Sequence, residues 1–266
     1  MNETLTRALS GLLYISILIS ATLFLNSFLI LFGILLLLSV YEFCGLIIIN
    51  KIFPLLSSAA LYLFCSYFFV NTVTNIVLLS IFLLSSLIAL RFLFNLKKQE
   101  ISTYEKYVYL FGYICISFIL LTQLSCIAGA FNPKIIISLF VLIWVNDTMA
   151  YVIGKSMGKN KLFKSVSPKK TIEGFLGGLG FSIFMSVLLA QYYIEQSAFL
   201  WIIIALIVGI FGTLGDLIES KFKRIAGVKD SGRIMPGHGG ILDRLDSIIF
   251  AGPFVFLFYQ ILNYVS

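Results

Sequence analysis

Residues 28–49 read FLILFGILLLLSVYEFCGLIII, an apolar run in which Glu42 is the single charged residue. A helix that crosses the hydrocarbon core of a bilayer needs about 20 mainly apolar residues, so this run predicts a transmembrane helix. Asn26 and Ser27 alone separate this run from the preceding apolar segment, so the division into two helices is weakest at this point. Eight other segments have the same character: residues 9–25, 52–70, 75–95, 107–130, 134–154, 172–194, 198–219 and 247–265. We therefore expect an all-α integral membrane protein, a polytopic transmembrane bundle of about nine helices, with eight or ten as alternatives.

The composition of the whole chain supports this fold class. Of its 266 residues, 60% are hydrophobic and 12% are charged. Soluble domains are about 45–50% apolar and about 25% charged, which excludes a water-soluble globule. The 26 Phe residues and the long Leu and Ile runs also exclude a disordered chain. Since nine helices leave short links, we expect residues 1–266 to form a single membrane domain.

Cationic residues fall almost entirely on one side of the predicted bundle. If nine helices alternate across the membrane, eighteen of the 19 Lys and Arg residues lie on the side of the N-terminus, and Lys134 lies opposite. Because Lys and Arg concentrate in cytoplasmic links, we expect the N-terminus in the cytoplasm and the C-terminus outside. Two cytoplasmic links, residues 155–171 and 220–246, are long enough to hold an active site.

The first link has features of a phosphate-binding site. Asp147, near the end of the sixth helix, is costly in a membrane, and we interpret it as an acid at the mouth of a cavity. An aspartate that holds helices together is the alternative. We expect Pro168 in the first turn of the seventh helix, with Ser167 as its N-cap. A helix N-terminus beside Lys169 and Lys170 is a ready anion site, which favours a phosphate-bearing ligand.

The second link combines acids and cations. Asp216 lies near the end of the eighth helix, whereas Asp243 and Asp246 are three residues apart and share one face at the start of the ninth. A link of this length lets the three carboxylates converge, and such hard oxygen ligands suit Mg²⁺. Whether a second cation binds beside it is open at this point. The surrounding cations can neutralise phosphate charges: Lys223, Arg224, Lys229, Arg233 and Arg244. These are the ingredients of metal-assisted phosphoryl or nucleotidyl transfer.

Two further polar residues carry weaker signals. His238 is the single histidine and lies in Pro-Gly-His-Gly-Gly, residues 236–240, where the backbone is unusually free. Loop ordering or substrate contact is a better interpretation of His238 than catalytic proton transfer. Glu42, near the end of the second helix, has no assignment beyond helix packing.

Residues 220–246 resemble the signature of the CDP-diacylglycerol synthases, the phosphatidate cytidylyltransferases. The matching positions are Ser220, Lys-Arg at 223–224, Lys-Asp at 229–230, Pro-x-His-Gly-Gly at 236–240 and Asp-Arg-x-Asp at 243–246. The segment around Asp147 and the run Ser-Pro-Lys-Lys-Thr-x-Glu-Gly at 167–174 also resemble this family. Met235 departs from the family pattern but remains apolar, as do Met149 and Met157.

The resemblance implies an enzyme of phospholipid biosynthesis that converts CTP and phosphatidic acid to CDP-diacylglycerol and pyrophosphate with Mg²⁺. It implies a bacterial inner-membrane protein whose active site faces the cytoplasm. The implied catalytic residues are Asp216, Asp243, Asp246, Lys223 and Arg244, and the three aspartates would hold the metal. The implied substrate-binding residues are Asp147, Ser167, Lys169, Lys170, Thr171, Glu173, Ser220, Arg224, Lys229, Asp230, His238, Gly239 and Gly240. Asp230 and Glu173 are expected to orient cations rather than bind metal.

Other functions remain open at this point. A CTP-dependent lipid kinase, or a cytidylyltransferase for another lipid, would also need acids and cations at the interface. A transporter or channel is a weaker alternative, because the acids cluster at one membrane face rather than at the midplane. We expect membrane lipid but no nucleic acid as a partner. A homodimer is compatible with the sequence, although no residue pattern predicts one.

Overall fold

The computed structural model describes residues 3–68, 71–95, 97, 100–127 and 129–265, which leaves the predicted cytoplasmic cation Lys98 outside the described residues. These residues form nine continuous helices and one short hairpin. The first four helices are α1 (Glu3–Thr22), α2 (Leu25–Leu46), α3 (Ile52–Leu63, continued by a π-helical turn, Phe64–Phe68) and α4 (Thr72–Phe94). The others are α5 (Thr103–Leu124, with a π-helical stretch at Val108–Cys115), α6 (Pro133–Met157), α7 (Ile172–Ile194), α8 (Ala198–Ile225) and α9 (Leu242–Val265).

The predicted fold class is confirmed: the chain is an all-α polytopic membrane protein. Each of the nine predicted segments corresponds to one helix in the described residues. Seven helices are long and apolar enough to cross a membrane, whereas α1 and α3 contain shorter apolar stretches, Arg7–Thr22 and Ile52–Ser66. The side of the membrane on which each terminus lies remains a prediction.

Two helices at the functional end extend further than the apolar segments predicted. The sixth helix was expected to end at residue 154 and the eighth at 219, but α6 continues to Met157 and α8 to Ile225. The ninth apolar segment begins at 247, but its helix begins at Leu242, so Asp243 and Asp246 lie at the start of that helix as expected. Hydropathy marks where apolar residues stop, whereas Lys, Arg and Leu are good helix formers that extend a helix past that point. The two links are therefore shorter than the predicted 155–171 and 220–246, and comprise residues 158–171 and 226–241.

The first of these links contains a β-hairpin that the sequence did not predict. Strand β1 (Lys161–Phe163) pairs antiparallel with β2 (Ser167–Thr171). The expectation that Ser167 caps α7 and Pro168 fills its first turn is wrong, because both lie on β2. Thr171 is the N-cap instead, and its Oγ1 accepts a hydrogen bond from the Gly174 N–H at 3.1 Å. Proline is tolerated in a two-stranded ribbon, where it lies at an edge.

Close helix contacts hold the functional end together. A Cβ at Gly174 of α7 would lie 2.6 Å from the Ala150 carbonyl oxygen of α6. A Cβ at Gly215 of α8 would lie 2.5 Å from the Asp246 carbonyl oxygen of α9. Small residues at such crossings let helix backbones approach closely. The pairs α6–α7 and α8–α9 are thereby held at fixed spacing around the two links.

Candidate active site

A polar cavity of about 680 Å³ opens where α6, α8 and α9 meet the β-hairpin. Six of its lining side chains are cationic and five are carboxylates, so the cavity suits a ligand with several negative charges. Its lining residues are Asn146, Asp147, Ala150, Tyr151, Gly154, Lys155, Lys161, Leu162, Pro168, Lys169, Lys170, Thr171, Phe175, Thr213, Asp216, Lys223, Asp230, Asp243, Arg244 and Asp246.

This cavity brings together many of the predicted site residues from both links. They are Asp147, Lys169, Lys170, Thr171, Asp216, Lys223, Asp230, Asp243, Arg244 and Asp246. The three aspartates expected to converge do line one space. Lys155 and Lys161 also line it, although the sequence analysis treated them as part of the charge bias.

The other predicted site residues lie outside the cavity lining. They are Ser167, Glu173, Ser220, Arg224, Lys229, His238, Gly239 and Gly240. Several of them hold the links in place. Arg224, for example, donates hydrogen bonds to the carbonyls of Val166 and Val228 at 3.3 and 3.2 Å, so it joins the hairpin to the loop 226–241. Contact between these residues and a substrate stays a prediction.

Lys170 and Asp216 form an ion pair at the cavity wall. Lys170 Nζ lies 2.5 Å from Asp216 Oδ2, and Ser220 Oγ donates to Asp216 Oδ1 at 3.1 Å. Burial opposes the charge on Lys170, but the Asp216 carboxylate outweighs it and raises the pKa of Lys170 above its usual value. Lys170 is therefore charged at neutral pH where it lines the cavity.

Asp243 is held by four donors. Its Oδ1 lies 2.6 Å from Lys223 Nζ, and its Oδ2 accepts from the Gly240 N–H at 2.8 Å. Ser231 contributes both its N–H, at 2.9 Å, and its hydroxyl, at 3.0 Å, to Oδ2. Asp243 thus ties the loop 226–241 to α8 and α9.

Glu219 was missed by the sequence analysis. Its Oε2 accepts from Lys223 Nζ at 2.7 Å, while its Oε1 is buried and has no hydrogen-bond partner among the described residues. Glu219 and Lys223 are i and i+4 on α8, so they share a helix face. The sequence feature that could have identified Glu219 is an acid four residues before a lysine, at the end of an apolar run.

Glu173 fixes the link between α6 and the hairpin. Its carboxylate accepts from the N–H groups of Lys159 and Asn160, each at 3.1 Å, and from Asn160 Nδ2 at 2.8 Å. These hydrogen bonds hold residues 159–160 against the first turn of α7. Lys161 is thereby directed along β1 toward the cavity.

His238 contacts α1 rather than the cavity. Its Nδ1 lies 2.8 Å from Ser10 Oγ, and Ser10 also donates to the Pro236 carbonyl at 2.9 Å. Partial burial, with the positive charges of Arg244 and Arg7, lowers the pKa of His238 below its usual value. His238 is therefore neutral at neutral pH, which fits the interpretation that it orders the loop.

A divalent cation finds suitable donors here, but not a preformed cage. Within the part of the chain that the structure describes, no group of three or more His, Cys, Asp or Glu residues is arranged to hold a metal. The donor chemistry does fit, since Asp216 and Asp246 present hard oxygens to the cavity. Asp216 and Asp243 would first have to exchange Lys170 and Lys223 for the metal.

Comparison with known proteins shows the family. A sequence model described as "Cytidylyltransferase family" matches residues 5–262. A phosphatidate cytidylyltransferase of Staphylococcus aureus (strain COL) is 53% identical over 116 residues, which cover 43% of this chain and 44% of that protein. A protein of the same name from Staphylococcus haemolyticus (strain JCSC1435) is 51% identical over 116 residues, with the same coverage.

These alignments span less than half of each relative's length, whereas the family match covers nearly the whole chain. That match includes every residue that lines the cavity. The chain belongs to the cytidylyltransferase family.

Proposed function

We propose that this protein is a phosphatidate cytidylyltransferase, which converts CTP and phosphatidic acid to CDP-diacylglycerol and pyrophosphate. The family match and the names of the relatives support this activity. The observation that carries it is the cavity at the ends of membrane helices, where six cationic side chains surround a cluster of aspartates. One substrate is a lipid and the other a water-soluble polyanion, so a charged cavity at the membrane boundary suits both.

The proposed reaction needs positioning and charge neutralisation more than proton transfer. An ionised phosphate oxygen of phosphatidic acid attacks the α-phosphorus of CTP. The bond from that phosphorus to the oxygen bridging to the β-phosphorus breaks, and pyrophosphate leaves with the electron pair. Because the nucleophile is already anionic, no strong base is required. Lys169, Lys170 and Arg244 would hold the phosphates, and Lys223 would neutralise charge on the leaving group.

Mg²⁺ is the proposed cofactor, and Asp216, Asp243 and Asp246 would hold it. Asp216 and Asp243 are paired with Lys170 and Lys223, so the ion would replace these two lysines at the carboxylates. When bound, the ion would neutralise negative charge on the triphosphate and orient the substrate for reaction. The protein's own contribution is the placement of those carboxylates. Asp216 lies on α8 and Asp246 on α9, and the Gly215 contact holds these two helices together.

The proposed location is a bacterial inner membrane, with the cavity facing the cytoplasm. The charge bias supports this orientation, because Lys and Arg concentrate in cytoplasmic links. CTP is a cytoplasmic substrate, so a cavity on that side would be directly accessible to it.

The test compares the wild type with Asp246→Asn, using purified protein in lipid nanodiscs, labelled CTP and phosphatidic acid. We expect CDP-diacylglycerol and pyrophosphate from the wild type, and a loss of about 100-fold or more in Asp246→Asn, with a higher Mg²⁺ requirement. Glu100→Gln is the control, since Glu100 is exposed and outside the cavity. Near-normal turnover in Asp246→Asn refutes the metal assignment. Phosphorylation of a polyprenol in place of phosphatidic acid would instead identify a lipid kinase.

A further inference from the structure

Glu42 on α2 is a buried carboxylate that contacts the loop 226–241 and the start of α9. It is 4% exposed and lies in an otherwise apolar run. An acid inside a membrane helix is costly unless it has partners. Its Oε1 accepts from the Ile241 N–H at 3.1 Å, and its Oε2 accepts from the Leu242 N–H at 2.9 Å. Ser231 Oγ lies 3.1 Å from the same Oε2.

Two of these donors are backbone groups at the beginning of α9. The first N–H groups of a helix lack hydrogen-bond partners within the helix, and a carboxylate at this end can accept from them. Its negative charge also interacts favourably with the positive end of the helix dipole. Residues before α9 supply no acid for this purpose at the N-cap position, since Ile241 and Gly240 precede Leu242. Glu42 therefore performs the N-cap role from a distant helix.

The loop is folded closely around this carboxylate. A Cβ at Gly232 or at Gly240 would collide with the Glu42 side chain, so both positions require glycine while Glu42 is in place. The loop residues 232 and 240 thus approach Glu42 from two sides. This contact fixes the loop against α2 rather than against α8 or α9 alone.

Ser231 links Glu42 to the cavity. Its hydroxyl lies 3.1 Å from Glu42 Oε2 and 3.0 Å from Asp243 Oδ2, so its single proton can be donated to either carboxylate. Asp243 in turn contacts Lys223, which lines the cavity. A continuous set of polar contacts therefore runs from Glu42 to the cavity wall.

We propose that Glu42 is a positioning residue for nucleotidyl transfer: it fixes the start of α9 and the loop, so that Asp243, Arg244 and Asp246 keep a productive geometry. The inference rests on the proposed function for its catalytic part. Misplacement of reacting groups by about 1 Å costs about 100-fold in rate, so loss of this anchor acts mainly on turnover.

The test is Glu42→Gln in the full-length protein, with Glu100→Gln as the matched control at an exposed site. Glutamine keeps the side-chain length but has one acceptor oxygen, so its NH₂ group faces one of the two backbone N–H donors. We expect kcat to fall at least about tenfold while KM for CTP changes less than about threefold, because the ground-state contacts to phosphate remain. The control keeps wild-type kinetics.

Amide hydrogen exchange gives a second readout that does not depend on activity. In Glu42→Gln, a peptide covering Ser231–Leu242 should exchange faster, whereas one within Ile116–Leu124 of α5 should not change. Faster loop exchange with unchanged kcat overturns the positioning role, and unchanged exchange overturns the anchor itself. A wild type without CTP-dependent turnover refutes the proposed function and the catalytic part, while the exchange result still decides whether Glu42 anchors the loop.

Discussion

Replacing Lys223 with methionine tests whether the ion pairs at the cavity wall stabilise the protein as much as buried ion pairs do. Lys223 Nζ lies 2.7 Å from Glu219 Oε2 and 2.6 Å from Asp243 Oδ1. The side chains of Lys223, Glu219 and Asp243 are 10%, 2% and 6% exposed. Removing one partner of a buried pair leaves an uncompensated charge and costs about 3–5 kcal/mol. We expect a loss near the lower end, because Asp243 keeps its hydrogen bonds to Ser231 and Gly240.

The measurement is equilibrium unfolding in mixed detergent micelles. Glu219→Gln combined with Lys223→Met should recover about 1–3 kcal/mol, because it removes one of the two buried carboxylate charges that the single variant leaves without their cation. Lys164→Met, at an exposed turn of the hairpin, is the control and should change stability by about 0.5 kcal/mol or less. A loss below about 1 kcal/mol in Lys223→Met, as for an exposed pair, would refute the reasoning. So would a double variant no more stable than the single one.

Two further predictions follow from close packing and from a shifted pKa. Gly215→Val should destabilise the protein by about 1–3 kcal/mol and abolish turnover, because the new side chain forces α8 away from Asp246. Gly45→Val is the control, since the space around a Cβ at Gly45 is open, and comparable unfolding curves for the two variants would contradict this prediction. Burial and the positive charges of Arg244 and Arg7 lower the pKa of His238. The folded protein therefore binds a proton at His238 less readily than the unfolded chain does, and the free energy of unfolding falls as the pH drops below about 6.5. In His238→Gln the decrease in melting temperature between about pH 7.5 and about pH 5.5 should be smaller, and an unchanged decrease would remove His238 as its source.

The apolar segments predicted the helices well for a physical reason. A membrane span must satisfy its backbone hydrogen bonds internally and expose apolar side chains, so length and hydropathy suffice to locate it. The same property cannot locate where a helix ends in water. At Lys221 the side chain is buried and donates to the carbonyls of Leu93 and Asn95, at 3.3 and 2.7 Å, so tertiary contacts extend α8 beyond its apolar part.

The candidate site was predicted in its residue types but not in its contacts. Asp216, Asp243 and Asp246 line one cavity as expected, because the helix period and the link length constrain where they lie. The donors that hold Asp243 come from the loop, and their geometry depends on backbone turns that no periodicity reveals. Glu42 is about 200 residues from its partners, so its role required the fold.

The two lysine–aspartate pairs at the cavity bear on which ligand the proposed site prefers. Lys170 is paired with Asp216, and Lys223 is paired with both Asp243 and Glu219, before any ligand enters. A phosphate that takes an ammonium group from its carboxylate leaves that carboxylate unpaired, which is costly in a partly buried site. A ligand that brings a cation with its phosphates compensates both groups at once, because the cation replaces the lysine at the carboxylate. A site built from such pairs therefore favours a metal-bound triphosphate over a bare phosphate group, in keeping with the proposed use of CTP with Mg²⁺.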